Sequence, residues 1–306
     1  MARRLRYFPE RPLVEVTART VQGRFLLRPS AGFREIFVGI LARSAERYAV
    51  EVHAYVCLSN HFHLLCSPAD AQQLAGFMCY LNSNLSKEAG RLHRWRGPLL
   101  IRRYQAIPVS TEEEAQVGRL RYLLAHGVKE SLVSRVTDWP GPHCANALLA
   151  GSRPVGVWFD RTEQHAARHR GEEVSHSDYA TLESLDLAPL PCWRHLPTEA
   201  VRRRIADLVA EIDKEAVSRR QSRRTTPLGV RGVFRQDPHD RPSCSSWSPA
   251  PLVHAACKTV RHELRAVYYR FAVAFRIAAD KLKAGCRDVA FPAGSFPPSL
   301  PYCRGA

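Results

Sequence analysis

Residues 50–57 and 62–66 are two apolar runs separated by little more than Ser59 and Asn60. No other feature constrains this chain as much. Both runs have strand length, and so short a gap leaves room only for a tight turn, so the spacing predicts an antiparallel hairpin.

The segments on either side extend the pattern. Leu13 to Arg19 (LVEVTAR) alternates apolar and polar residues, the period of a half-buried strand. Ser30 is placed to cap a helix whose apolar positions Phe33, Ile36, Phe37, Ile40 and Leu41 recur at helical spacing. After the hairpin, residues 71–92 read as a second helix with a stripe of Leu74, Phe77, Met78, Leu81 and Leu85. Residues 101–109 return as a strand. Ser110 and three glutamates then open a third helix reaching about His126, the acidic triplet suiting the positive end of the helix dipole. The order strand, helix, strand, strand, helix, strand predicts an α+β domain of the ferredoxin-like βαββαβ type, with one helix added.

Asp138-Trp-Pro-Gly-Pro breaks the pattern, placing a domain boundary near residue 150. Residues 151–306 read as a mainly α-helical extension of unassigned role. Thr198 is expected to cap a helix carrying Val201, Ile205, Leu208, Val209 and Ile212, and residues 225–251 read as a linker. From Val253 to Leu282 apolar residues recur at alternating steps of four and three, the seam of two packed helices. The helix starting at Thr198 is the economical partner. A second subunit is the other, so the expected state is monomer or homodimer.

Charge points to the class of partner. The 306 residues hold 45 Lys and Arg against 29 Asp and Glu, a net charge of +16, divided equally between residues 1–150 and 151–306. Such an excess suits a polyanion, whose condensed counterions are released on binding; the ordinary alternative is an arginine-rich soluble protein. The nine cysteines are scattered with no CxxC pair, which fits a reducing cytoplasm better than a disulfide framework or zinc ribbon. No secretory leader and no apolar run of membrane-spanning length is found, so no membrane partner is expected.

The chemistry concentrates in two short segments. In Asn60-His61-Phe62-His63-Leu64-Leu65, residues two apart on a strand share a face, so His61 and His63 present two imidazoles able to chelate one divalent ion. In Leu120-Arg121-Tyr122-Leu123-Leu124-Ala125-His126, Tyr122 and His126 lie one helical turn apart. A tyrosine hydroxyl beside a metal-binding imidazole suits transesterification at phosphorus. Taken singly, the histidines fit a solvated sheet face and the tyrosine an amphipathic helix. Arg91, Arg94 and Arg96 with Trp95 among them, then Arg102, Arg103 and Arg121, are candidate DNA contacts, because cations interleaved with an aromatic suit a stacking surface that tracks a backbone. His165 and His169 have a zinc-like spacing, but the glutamate of HExxH is missing.

Taken together and in this order, these segments resemble the REP-associated tyrosine transposases, single-tyrosine members of the HUH endonuclease superfamily. The resemblance covers residues 1 to about 145 and rests on Leu58-Ser59-Asn60-His61-Phe62-His63-Leu64-Leu65, Arg103-Tyr104-Gln105-Ala106-Ile107, Arg121-Tyr122-Leu123-Leu124-Ala125-His126-Gly127-Val128 and Trp139-Pro140. It implies an HUH catalytic domain in which His61, His63 and His126 hold Mg²⁺ or Mn²⁺. Tyr122 would attack the scissile phosphate to leave a 5′-phosphotyrosine and a free 3′-hydroxyl. The implied partner is single-stranded DNA beside a hairpin, and the implied location is the cytoplasm, at the nucleoid. The family commonly carries Asn-Pro where this chain has His126-Gly127. Two other functions share these residues: a non-cutting, hairpin-binding protein of transposon origin, and a metal-dependent phosphodiester hydrolase with water as nucleophile.

Overall fold

The computed structural model describes residues 4–9, 13–101, 103–243 and 250–296. Strand β1 (Leu13–Arg19) leads to helix α1 (Ala31–Tyr48), the hairpin β2 (Glu51–Cys57) and β3 (His61–Ser67), helix α2 (Ala71–Leu92) and strand β4 (Gln105–Val109). The four strands form one antiparallel sheet in the order β2-β3-β1-β4, the strand order of the split βαββαβ arrangement. The predicted Ser30 cap is in place, its hydroxyl accepting from Phe33 N at 3.1 Å, and Asp70 caps α2 by accepting from Gln73 N at 2.7 Å. At the hairpin turn, Leu58 N donates to His61 O at 2.8 Å.

Alternation in the strands divides the sheet into two faces. Val14, Val16, Phe62 and Leu64 join Phe33, Phe37, Leu74 and Leu81 of α1 and α2 in the main core. On the other face the register pairs Thr17 with His63, Arg19 with His61 and Glu15 with Ile107. That polar face is covered by α3 (Glu113–Leu124), which packs on β2, β3 and β4.

Three boundaries differ from expectation. The segment predicted as one strand over 101–109 is interrupted: Leu100 bridges Thr20, and regular pairing resumes at Gln105 opposite Thr17. Helix α3 begins at Glu113, because Ser110 turns its hydroxyl to Glu112 Oε2 at 2.6 Å instead of capping. Glu112 in turn accepts from the backbone N–H groups of Ala256 and Cys257, and Glu113 from the Trp193 indole. The acidic triplet thus also anchors the second half of the chain. Finally, α3 ends at Leu124, and a separate turn, α4 (His126–Lys129), carries His126.

The rest of the chain wraps this unit. Helix α5 (Ala145–Ala150) precedes a hairpin of β5 (Val155–Phe159) and β6 (Ala180–Ser184), with α6 (Arg161–His169) between them. The hairpin lies directly on α1. A Cβ on Gly156 would stand 2.2 Å from Gly39 N, and one on Gly39 would stand 2.3 Å from the Val157 backbone, so both positions require glycine for this approach. Helix α7 (Thr198–Arg223) packs on α3, α4 and α5; its N-cap is Pro197, with Thr198 as first residue. After α8 (Gly229–Arg235) comes α9 (Lys258–Lys283). The seam expected between α9 and α7 is not formed. Phe271 instead stacks on Tyr7 with ring centroids 4.8 Å apart, Phe275 packs on Phe291 at 5.1 Å, and Tyr269, Val273 and Ile277 stay exposed. The stripe exists, but the N-terminal segment and the chain after the helix cover part of it because α7 is occupied elsewhere.

Candidate active site

Three elements build the site. Strand β3 brings His61 and His63 onto the polar face of the sheet, and β1 places Thr17 and Glu15 beside them. Helix α3 and its continuation α4 lower Tyr122 and His126 onto the same spot. His61 Nε2 and His126 Nε2 lie 2.8 Å apart, and the ligand atoms of His61, His63 and His126 all lie within 4.8 Å of one another. The rings pack at centroid distances of 5.2 Å (His61–His63), 5.0 Å (His61–His126) and 4.6 Å (His63–His126). Tyr122 meets the cluster edge-on, 5.5 Å from His63 and 5.0 Å from His126.

Two of the imidazoles are aimed by neighbours. His63 Nδ1 lies 2.9 Å from Glu15 Oε1 and 3.0 Å from Thr17 Oγ1, which leaves Nε2 as its ligand atom. His61 Nδ1 is held by Asn60 Oδ1 at 2.6 Å. A carboxylate behind a ligating histidine fixes its tautomer and raises its basicity. Glu15 is buried, and burial alone would raise its pKa. Its contacts with His254 and His63, together with the charge of Arg119, outweigh that and hold it well below the usual carboxylate range. Arg119 Nε and His254 Nε2 both approach its other oxygen, at 2.9 and 2.8 Å.

The donor set fits a divalent cation. Burial, then the neighbouring histidines, push His61 down to about 3 and His126 well below the ordinary imidazole value, so both are neutral and offer lone pairs. Two lone pairs 2.8 Å apart repel unless a proton or cation lies between them. Two nitrogens each about 2.1 Å from one ion stand at nearly this separation. The Tyr122 hydroxyl is raised by burial and then by the Glu15 charge, while Arg119 opposes the shift. The Arg119 guanidinium lies 4.1 Å and the Lys129 ammonium 4.6 Å from the centre of the Tyr122 ring.

The cluster opens into a cleft of about 750 Å³ lined by Arg19, Arg103, Gln105, Arg119 and, from the second half of the chain, Ala250, Pro251 and His254. Of the predicted DNA contacts, Arg103 lines this cleft. The Trp95 ring lies under the Arg24 guanidinium at 5.5 Å, and Arg24 follows Gly23 of the cleft wall. Arg94 and Arg96 are exposed on the same loop, Arg91 pairs with Glu88, and Arg102 lies outside the described residues. Arg121 faces away and pairs with Glu215 of α7 at 2.5 Å. His165 and His169 stand 3.2 Å apart on exposed α6, and among the described residues no third His, Cys, Asp or Glu completes a metal-binding group with them. Sequence reasoning missed Glu15, Arg19, Arg119 and His254. Arg119 carried a signal, since it precedes Tyr122 by three positions on one helix face.

This chain is similar in shape to transposases. One is a REP-associated tyrosine transposase solved bound to a REP hairpin: 16% identity, half of this chain and 89% of that one, TM-score 0.42. Another is a "putative transposase" of Deinococcus radiodurans R1, with 15% identity over 40% of this chain and 95% of that one, TM-score 0.29. No protein family and no curated protein matches the chain.

Proposed function

We propose that the chain nicks and rejoins single-stranded DNA through a covalent tyrosine intermediate. Residues 1–150 form the catalytic unit, and residues 151–306 complete the cleft wall. The observation that carries this reading is the convergence of three imidazoles and one tyrosine on a single sheet face, inside a cleft lined with arginines.

His61, His63 and His126 would hold the divalent ion, and a three-imidazole set favours Mn²⁺ over Mg²⁺. Bound there, the ion supplies positive charge that polarises a phosphate and makes phosphorus electrophilic. The chain's residues do the rest. Arg19, Arg103 and Arg119 attract and orient the phosphodiester. Tyr122 Oη forms a bond to phosphorus as the bond to the 3′-oxygen breaks, and the phenol's proton ends on that oxygen. The products are a 5′-phosphotyrosine and a free 3′-hydroxyl, which can attack in turn and restore a phosphodiester. The phosphoester bond is conserved throughout, so no nucleotide cofactor is required.

Burial raises the Tyr122 hydroxyl, so the resting phenol is protonated at neutral pH. The cations over its ring stabilise the phenolate as charge develops.

The test is covalent capture. Incubated with Mn²⁺ and hairpin-flanked single-stranded DNA, the protein should form a denaturant-stable adduct. Tyr122→Phe should abolish the adduct while leaving DNA affinity within a few fold. Cleavage without an adduct would assign water as the nucleophile, and binding without cleavage would leave a hairpin-binding protein.

A further inference from the structure

Ala250 and Pro251 line two grooves, the active-site cleft and a second one running along α9. The second groove encloses about 730 Å³ between α9 and the N-terminal segment at Arg4 and Leu5. Its helical lining recurs at steps of three and four, so one face of α9 forms it. Five cations line it, Arg4, Arg261, Arg265, Arg276 and Lys283, against the single carboxylate of Asp280. Lys283 already pairs with that carboxylate at 3.2 Å. Arg265 and Arg276 are exposed and make no ion pair among the described residues.

Aromatic rings are interleaved with this charge. Tyr268 is tethered, its hydroxyl donating to Leu5 O at 3.2 Å. Tyr269, one turn beyond Arg265, is 54% exposed. Cations alternating with an accessible ring suit a strand whose phosphates are paired and whose bases stack. An apolar partner would cover the same cations without counter-charge, which is costly.

We propose that the α9 groove binds the single strand of DNA that leads out of the active-site cleft across Ala250 and Pro251. Its phosphates lie on Arg265 and Arg276, and a base stacks on Tyr269. The two arginines are about 16 Å apart along the helix, enough to hold several nucleotides beyond the reacting phosphate. The proposal rests on the reading of single-stranded DNA as substrate.

Its test uses the full chain without divalent metal, titrated against fluorescein-labelled oligothymidine of about four and about twelve nucleotides. The double variant Arg265→Gln/Arg276→Gln should bind the longer strand at least about tenfold more weakly. Its salt slope should fall by about 1.4, the loss of two single-strand phosphate contacts. Tyr269→Ala should weaken the longer strand by about fivefold or more, and the shorter strand should bind all forms alike. Equal binding of the longer strand by natural and variant chains would overturn the proposal. So would a dimer, seen by sedimentation, that the variants dissociate without changing DNA affinity, since a second copy would then own this face. Adduct formation with Mn²⁺ on saturating hairpin-flanked single-stranded DNA should persist in both variants. If the natural chain forms no adduct yet the length-dependent losses appear, the chemistry assigned to Tyr122 fails and the groove stands.

Discussion

Glu15 connects more of the active site than any other residue: it aims His63, and it receives Arg119 from α3 and His254 from the distant loop before α9. Glu15→Gln keeps the shape but removes the charge behind His63. The expected result is a rise of about 10–100-fold in the Kd for Mn²⁺ by calorimetry, with the circular dichroism spectrum retained; an unchanged isotherm would show that the carboxylate does not support the ligand. At His126 the side chain itself matters. His126→Asn keeps a polar donor and should retain Mn²⁺-dependent cleavage, whereas His126→Ala should lose most of it; equal activity of the two would remove His126 from the site. His61, His63, Tyr122 and His126 were legible in the sequence because strand and helix periods assign each a face. Glu15 was not, since a polar residue in an alternating strand looks like any solvent-facing position. His254 could not be read either: the helical stripe was expected from Val253, but the helix begins at Lys258, and tertiary packing brings His254 in from the loop before it.

Secondary elements were legible where their period was uninterrupted. Strands β1, β2 and β3 and helices α1 and α2 follow the expected pattern, and Ala71–Leu92 coincides with the predicted range. The β5–β6 hairpin was not legible, because β6 shows no buried alternation and β5 lies on α1 through glycine contacts that leave no apolar signature. The α9 stripe announced an apolar face without saying what would cover it. Gly156 offers a direct test of the hairpin's seat. Gly156→Ala drives a methyl into the α1 backbone and should cost about 1–3 kcal/mol, read as a lower Tm. An unchanged Tm would mean that the hairpin does not press on α1 in solution.

Across the whole molecule, the two halves are joined by buried polar contacts as well as by apolar packing. His53, at the bulge in β2, bonds Ala188 O at 3.1 Å and Ser67 Oγ at 2.8 Å, and burial holds its pKa below the ordinary histidine value. The native chain keeps His53 neutral, while the unfolded chain takes up a proton below about pH 6.5. Stability from this group is therefore full above that pH and declines as the medium is acidified. The Tm should fall on going from pH 7 to pH 5, and His53→Gln should make that fall shallower; a parallel fall in the variant would place the acid sensitivity elsewhere. The net charge of +16 predicts a partner class but no location. The fold sets Arg19, Arg103 and Arg119 around the cleft at the histidine cluster, and Arg4, Arg261, Arg265 and Arg276 along the α9 groove.

The central claim, that Tyr122 becomes covalently attached to DNA, is tested most directly by mapping the attachment. After reaction with Mn²⁺ and a single-stranded substrate, nuclease trimming and tryptic digestion should leave nucleotide mass on the peptide running from Tyr122 to Lys129. Tyr122 is the only tyrosine in that peptide. The added mass should appear there and on no other tyrosine peptide. Mass on the peptide holding Tyr104, or cleaved DNA with every tyrosine peptide unmodified, would contradict it.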